Sequence, residues 1–153
     1  MSWLSDEQLI HKIKCNADEK TFRAFNGVYP VDSLPDFVSH LPIMIIINTD
    51  THNLKGQHWK CIFIDKDRCG EVFDSLAQPM NNMLIRWMNR FTRKWKTNRK
   101  CYQHSSSSIC GAFVLYYALS RLNAPSLESI TKVFTHSLHD NECFVRSFYR
   151  NLK

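Results

Sequence analysis

The sequence lacks any stretch long and apolar enough to cross a bilayer, since its longest unbroken apolar run is the short one over 43–47. It lacks a secretion signal too: Met-Ser-Trp-Leu-Ser-Asp-Glu-Gln has neither a basic n-region nor an apolar h-region. An intracellular protein, or one packaged from inside a cell, is expected, not a secreted or membrane-bound one. There is no C-x-x-C and no paired Cys/His ligand spacing, so no metal site is expected. Without secretion, the six cysteines are expected as reduced thiols rather than three disulfides. No internal repeat or linker interrupts the chain, and residues 105–108, four serines, are its one low-complexity stretch. With 153 residues, 44% hydrophobic and 22% charged, the chain suits one domain over 1–153 with one core.

Acidic residues are missing from 81–100, where seven basic ones stand: Arg86, Arg90, Arg93, Lys94, Lys96, Arg99 and Lys100. Net charge is +6. Such a segment suits DNA or another polyanion, and equally suits a solvated helix face and loop.

What is present is a run of punctuated elements. Ser5-x-x-Gln8 reads as a capping box, and Leu4, Leu9, Ile10 and Ile13 have helical spacing, so a helix is predicted over 6–14. A second short helix is predicted over 17–25. Gly27, Pro30, Pro35 and Pro42 predict a loop. Residues 43–48 are β-rich and apolar on both faces, which suits a central strand. A loop over 49–57, a strand over 59–64, a turn and a returning strand over 71–74 follow. Pro79 opens a predicted helix over 80–94. A short strand is predicted over 100–103, then helices over 110–122, 126–135 and 140–152, with Ser126 and Asp140 as N-caps. The predicted class is α+β, a small and mostly antiparallel sheet packed by helices.

The most informative run is Gln103-His-Ser-Ser-Ser-Ser-Ile-Cys110-Gly111, followed at once by apolar Ala112 to Leu119. It puts a thiol at a predicted helix start. Unpaired N–H groups and partial positive charge there are expected to lower the thiol's pKa. The Gln103 amide and the Cys110 N–H are the candidate oxyanion donors. The serines permit a tight approach, and Gly111 is expected to leave room for substrate backbone. His58 stands where a loop enters a strand and is the candidate base, with Trp59 beside it as a cleft wall. Asp74 ends the return strand, opposite about Cys61, where it would orient the imidazole. Asp65 and Asp67 read as turn formers, and Glu71 begins the strand at its far end. Pairing Cys110 with His136 or His139, in papain-like order, uses a histidine at a predicted helix end instead.

Gly56-x-His58-Trp59, Val72-Phe73-Asp74-Ser75 and Gln103-x6-Cys110-Gly111-x-Phe113 together resemble the adenovirus protease (adenain) family, including its relatives in adintoviruses and Maverick/Polinton elements. The resemblance runs from about Leu4 to Leu122. SUMO-deconjugating proteases share the order His-Trp, Asp, Gln, Cys more distantly. The resemblance implies an adenain-like fold and a cysteine endopeptidase. Cys110 would be its nucleophile, His58 its base, Asp74 its third member and Gln103 its oxyanion donor. It implies viral or virus-like precursor polypeptides as substrates, action in virion maturation in the host nucleus and virion, and a monomer. No cofactor is needed for the chemistry, while DNA and a peptide are implied as activators. Asp74 stands where adenain has Glu, and Cys101 does not match the family's peptide-linking cysteine. Removal of a ubiquitin-like modifier is the alternative activity. A basic nucleic-acid-binding module on an inactive protease fold is the non-enzymatic one.

Overall fold

The computed structural model describes residues 3–49 and 58–153. Gly56 and the predicted loop from residue 50 onward lie outside them.

Helix α1 (Asp6–Asn16) carries the predicted capping box: Ser5 accepts from the Gln8 N–H, and Gln8 reaches back to the Ser5 N–H. A short helix α2 (Glu19–Ala24), capped by Asp18, leads directly into strand β1 (Phe25–Pro30). A loop was predicted there. Gly27 sits at a register shift with φ 151°, and Pro30 closes the strand, so the two residues read as breakers in fact shape a bulged edge strand.

Strands β2 (Ile43–Asn48), β3 (Trp59–Ile64) and β4 (Cys69–Phe73) form the predicted antiparallel core of the sheet. Helix α3 (Asn82–Phe91) begins later than predicted because the Asn81 side chain caps it. It also ends earlier: Lys94-Trp-Lys-Thr97 forms strand β5, parallel to β4. The apolar Trp95 between two lysines satisfies a period of two as well as the helical period. Sheet pairing won, and the Trp95 indole donates back to Asn89 on α3 at 2.9 Å. The sheet order is β1-β2-β3-β4-β5, antiparallel within and parallel at both edges. The class is α+β with a mixed sheet.

Residues 100–103, predicted as a strand, form none. Ser75 O holds this segment by accepting from the Tyr102 and Gln103 N–H groups. Helix α4 (Cys110–Ser120) starts at the predicted thiol, and a 3-10 turn (Arg121–Asn123) extends it. Helix α5 (Leu127–Thr131) starts from Ser126 as predicted but is shorter. Helix α6 (Leu138–Arg150) is capped by Ser137, not Asp140, whose own N–H donates to the Ser137 hydroxyl.

Both sheet faces are covered, which explains the near-continuous apolar strands. Ile43, Ile45, Ile47, Ile62, Ile64 and Val72 pack with Leu84, Trp87 and Met88 of α3. Met44, Ile46, Trp59, Cys61, Phe63 and Phe73 pack on the other face with α1, α4 and α6. There Glu71 of β4 meets Arg121 through two side-chain contacts at 2.7 and 2.9 Å and accepts from the Tyr117 hydroxyl at 2.6 Å. Phe73 stacks on Tyr117 of α4 and lies parallel to Tyr102, which fixes the chain on either side of Asp74 and Gln103. Among the described residues, no helix is long and apolar enough to cross a membrane.

Candidate active site

His58 is the residue just before β3, and its carbonyl accepts from the Thr49 N–H, just past β2. Asp74 follows β4. Antiparallel pairing sets Phe73 opposite Cys61, so Asp74 arrives one residue nearer His58 than the sequence suggested. The His58 Nε2–H donates to Asp74 Oδ1 at 2.5 Å. Nδ1 of the same ring is buried and without a hydrogen-bond partner among the described residues.

Asp74 is fully buried and thoroughly satisfied. Oδ1 also accepts from the Leu76 N–H, and Oδ2 accepts from the Gln78 N–H. Lys60 Nζ lies 3.0 Å from Oδ2. Asn98 clamps the backbone, accepting from the Asp74 N–H and donating to the Asp74 carbonyl. Burial alone would raise the carboxyl's pKa. The His58 hydrogen bond and charge, the Lys60 charge and the Leu76 N–H outweigh that and bring it down to about 2. The carboxylate is therefore ionised at any ordinary pH, and the Nε2 proton is held. A neutral His58 then keeps its lone pair on Nδ1, the nitrogen with no partner.

Cys110 opens α4. Ile109, its N-cap, offers no capping side chain, so the first N–H groups of the helix stay available. The expected lowering of the thiol's pKa does not follow. Burial pushes the Cys110 thiol up to about 11. The N–H groups of Trp59, Gly111 and Cys110 itself pull it down, and the Asp74 charge pushes it up again. Desolvation outweighs the helix terminus, and the isolated thiol is neutral at pH 7. The Trp59 N–H acting on the thiol places Cys110 beside the His58–Trp59 peptide.

Gln103 is buried with its amide fixed at both ends. Oε1 accepts from the Ser75 hydroxyl at 2.6 Å, and Nε2 donates to Ser107 O at 2.9 Å. The second Nε2 proton has no partner among the described residues. Ser107, within the serine run, thus helps orient Gln103.

Two expectations fail. Trp59 does not wall a cleft: it is buried in the core, and its indole donates to Leu4 O. Gly111 does not leave room for substrate, since a Cβ there would come within 2.9 Å of the Leu4 side chain. Both residues seat the segment leading into α1. Glu71, weighed for the third position, is taken up by Arg121 instead. Sequence reasoning missed Lys60, Ser75 and Asn98 as parts of the site. A lysine two residues after His58 in an otherwise apolar strand was the one available signal.

The seven basic residues are all exposed. Arg86 and Arg90 lie on α3, Arg93 between α3 and β5, Lys94 and Lys96 on β5, and Arg99 and Lys100 beyond it. Among the seven, Lys96 alone has an ion-pair partner among the described residues, Glu128 at 2.8 Å. A groove of about 600 Å³ beside β5 is lined by Lys96, Arg99, Lys100 and Lys132 together with Tyr102 and Phe134.

No protein-family model and no curated protein matches the chain. Solved structures do. The ASFV pS273R protease superposes with a TM-score of 0.56 at 18% identity over 92% of this chain and 64% of that one. The Chlamydia abortus effector protein ChlaDUB gives 0.52 at 15% identity over 95% and 76%. The central domain of an uncharacterized Legionella pneumophila protein gives 0.52 at 12% identity over 98% and 97%. The chain thus spans just under two thirds of the viral protease it matches. At these identities the likeness is one of fold: the α+β architecture is shared with the ASFV pS273R protease and with ChlaDUB.

Proposed function

We propose that the chain is a cysteine endopeptidase acting through Cys110, His58, Asp74 and Gln103. One observation carries this reading. The His58 ring is held by an ionised carboxylate on one nitrogen and left buried and unpartnered on the other, on the strand whose next N–H acts on the Cys110 thiol. A structural histidine in a core has both nitrogens satisfied or one in water.

In the proposed reaction His58 Nδ1 takes the thiol proton as Sγ bonds to the scissile carbonyl carbon. The carbonyl oxygen becomes an oxyanion, received by the free Nε2–H of Gln103 and the Cys110 N–H. His58 passes its proton to the leaving amine as the C–N bond breaks, which leaves a thioester on Cys110. Water, deprotonated by His58, then releases the acid and restores the thiol. Asp74 stays ionised and holds the imidazole throughout.

The substrates proposed are precursor polypeptides, as the adenain resemblance implies and as the fold likeness to a viral protease supports. The exposed basic segment is proposed to bind DNA or another polyanion, supported by the six side chains that lack an ion-pair partner among the described residues. Digestion of a peptide library by wild type and Cys110→Ala tests the activity. Cleavage by wild type alone supports it, and equal cleavage by both overturns it.

A further inference from the structure

The proposed reaction makes no use of the buried charge of Lys60. Lys60, the second residue of a strand that is otherwise apolar, has a side chain only 3% exposed. A buried ammonium is costly to desolvate unless it is paired. Its partner is Asp74, which already has His58. One carboxylate therefore faces two cationic groups, one on each oxygen: His58 Nε2 on Oδ1 at 2.5 Å and Lys60 Nζ by Oδ2 at 3.0 Å.

Strand geometry makes this arrangement. Side chains alternate along β3, so His58 and Lys60 project to the same side, two residues apart. The register brings Asp74 to that side at the end of β4. The titratable and charged groups around the carboxylate are His58 just before β3, Lys60 from β3 and Cys110 from α4. From β2, Ile47 stands opposite Lys60 and Asn48 opposite Trp59. No other charged side chain among the described residues forms an ion pair with Asp74.

We infer that Lys60 is a positioning residue for the base: its ammonium holds and balances Asp74 at Oδ2, so that the carboxylate orients His58 through Oδ1. This rests on the proposed peptidase reading. With Lys60 in place, the Asp74–Lys60–His58 cluster is neutral when His58 is neutral and carries +1 when His58 is protonated. Without Lys60 the same cluster is −1 and becomes neutral on protonation. Lys60 thus opposes a preformed thiolate–imidazolium pair and favours proton transfer in step with attack. The high thiol pKa, about 11, agrees with this order of events. Lys60 also fixes Oδ2, leaving Oδ1 as the oxygen that meets His58.

The test needs no activity. The His58 ring titration is followed by NMR in wild type, Lys60→Met, Lys60→Gln and Lys60→Arg, with His58→Gln to assign the signal. Removing a nearby positive charge raises a histidine's pKa, by about one pH unit at this range. The expected result is an upward move of that size in Lys60→Met and Lys60→Gln and none in Lys60→Arg. The acid limb of kcat/KM for peptide hydrolysis should move with it. An unchanged midpoint in a folded neutral variant overturns the proposal. If neither neutral variant folds, Lys60→Arg decides: an unchanged His58 midpoint supports the proposal, and a displaced midpoint in folded protein overturns it. Peptide hydrolysis that survives Cys110→Ala would remove the peptidase reading while leaving the titration result standing.

Discussion

The Ser75 hydroxyl donates to Gln103 Oε1 at 2.6 Å, and the Ser75 carbonyl receives the Gln103 N–H at 3.1 Å. One residue, next to Asp74 in sequence, therefore sets both the position of Gln103 and which end of its amide faces the site. With Oε1 turned to Ser75, the donor end remains for an oxyanion. Gln103→Ala should lower kcat by about 10²-fold, the usual contribution of one such donor. Ser75→Ala should lower kcat by about 10-fold with KM little changed, because the amide then loses its orientation while staying present. An effect confined to KM in both variants would show that Gln103 binds substrate only.

Cys110→Ala and His58→Ala should each abolish peptide hydrolysis in folded protein. Asp74→Asn should be impaired less than His58→Ala, since Asp74 moves no proton. Full activity in Asp74→Asn with none in Glu71→Gln would reverse the assignment of the third residue. Asp74 also makes a stability signature. Its folded pKa, about 2, lies below the ordinary 3.8, so its contribution is complete above pH 4 and is lost as pH falls toward 2. The Asn variant should lose that part of the acid-unfolding slope, read from Tm at pH 6 and pH 3.

Arg121 and Glu71 tie α4 to β4 behind the site. Removing one partner of a buried pair strands the other. Arg121→Ala should destabilise the protein by about 3 kcal/mol, seen as a fall in the denaturant midpoint. The Glu71–Tyr117 hydrogen bond remains in that variant, so a double change with Glu71→Gln should cost less than the sum of the two singles. Strict additivity would mean the pair is not coupled.

DNA binding should depend on the unpaired cations more than on Lys96, whose charge Glu128 offsets. By anisotropy, Arg99→Gln with Lys100→Gln should weaken binding several-fold more than Lys96→Gln does. Affinity should also fall steeply with salt as counterions are released. Equal affinity in wild type and in a protein with Arg90, Arg93, Arg99 and Lys100 all changed to Gln would reduce the segment to a solvated face.

The sequence by itself determined the elements whose signal lies among neighbours in the chain. The Ser5–Gln8 cap, the apolar strands at Ile43 and Trp59, and the start of α4 at Cys110 were all legible, because caps and periodicity act over a few residues. Cys110, His58 and Asp74 could be named as candidates from their places at element ends, and Gln103 from its spacing before Cys110. Only the tertiary structure decided the edge strands. Gly27 and Pro30 in β1, and Lys94 to Thr97 in β5, take their conformation from the partner strand. It also decided the electrostatics. Helix position argued for an acidic Cys110 thiol, but its pKa depends on how much water the packed core removes, and that desolvation is a sum over residues far away in sequence. Lys60 beside Asp74, and Ser75 beside Gln103, are likewise pairings between separate segments. The pattern of any one segment is silent about them, because the force that brings them together is the burial of the whole sheet between its two layers of helices.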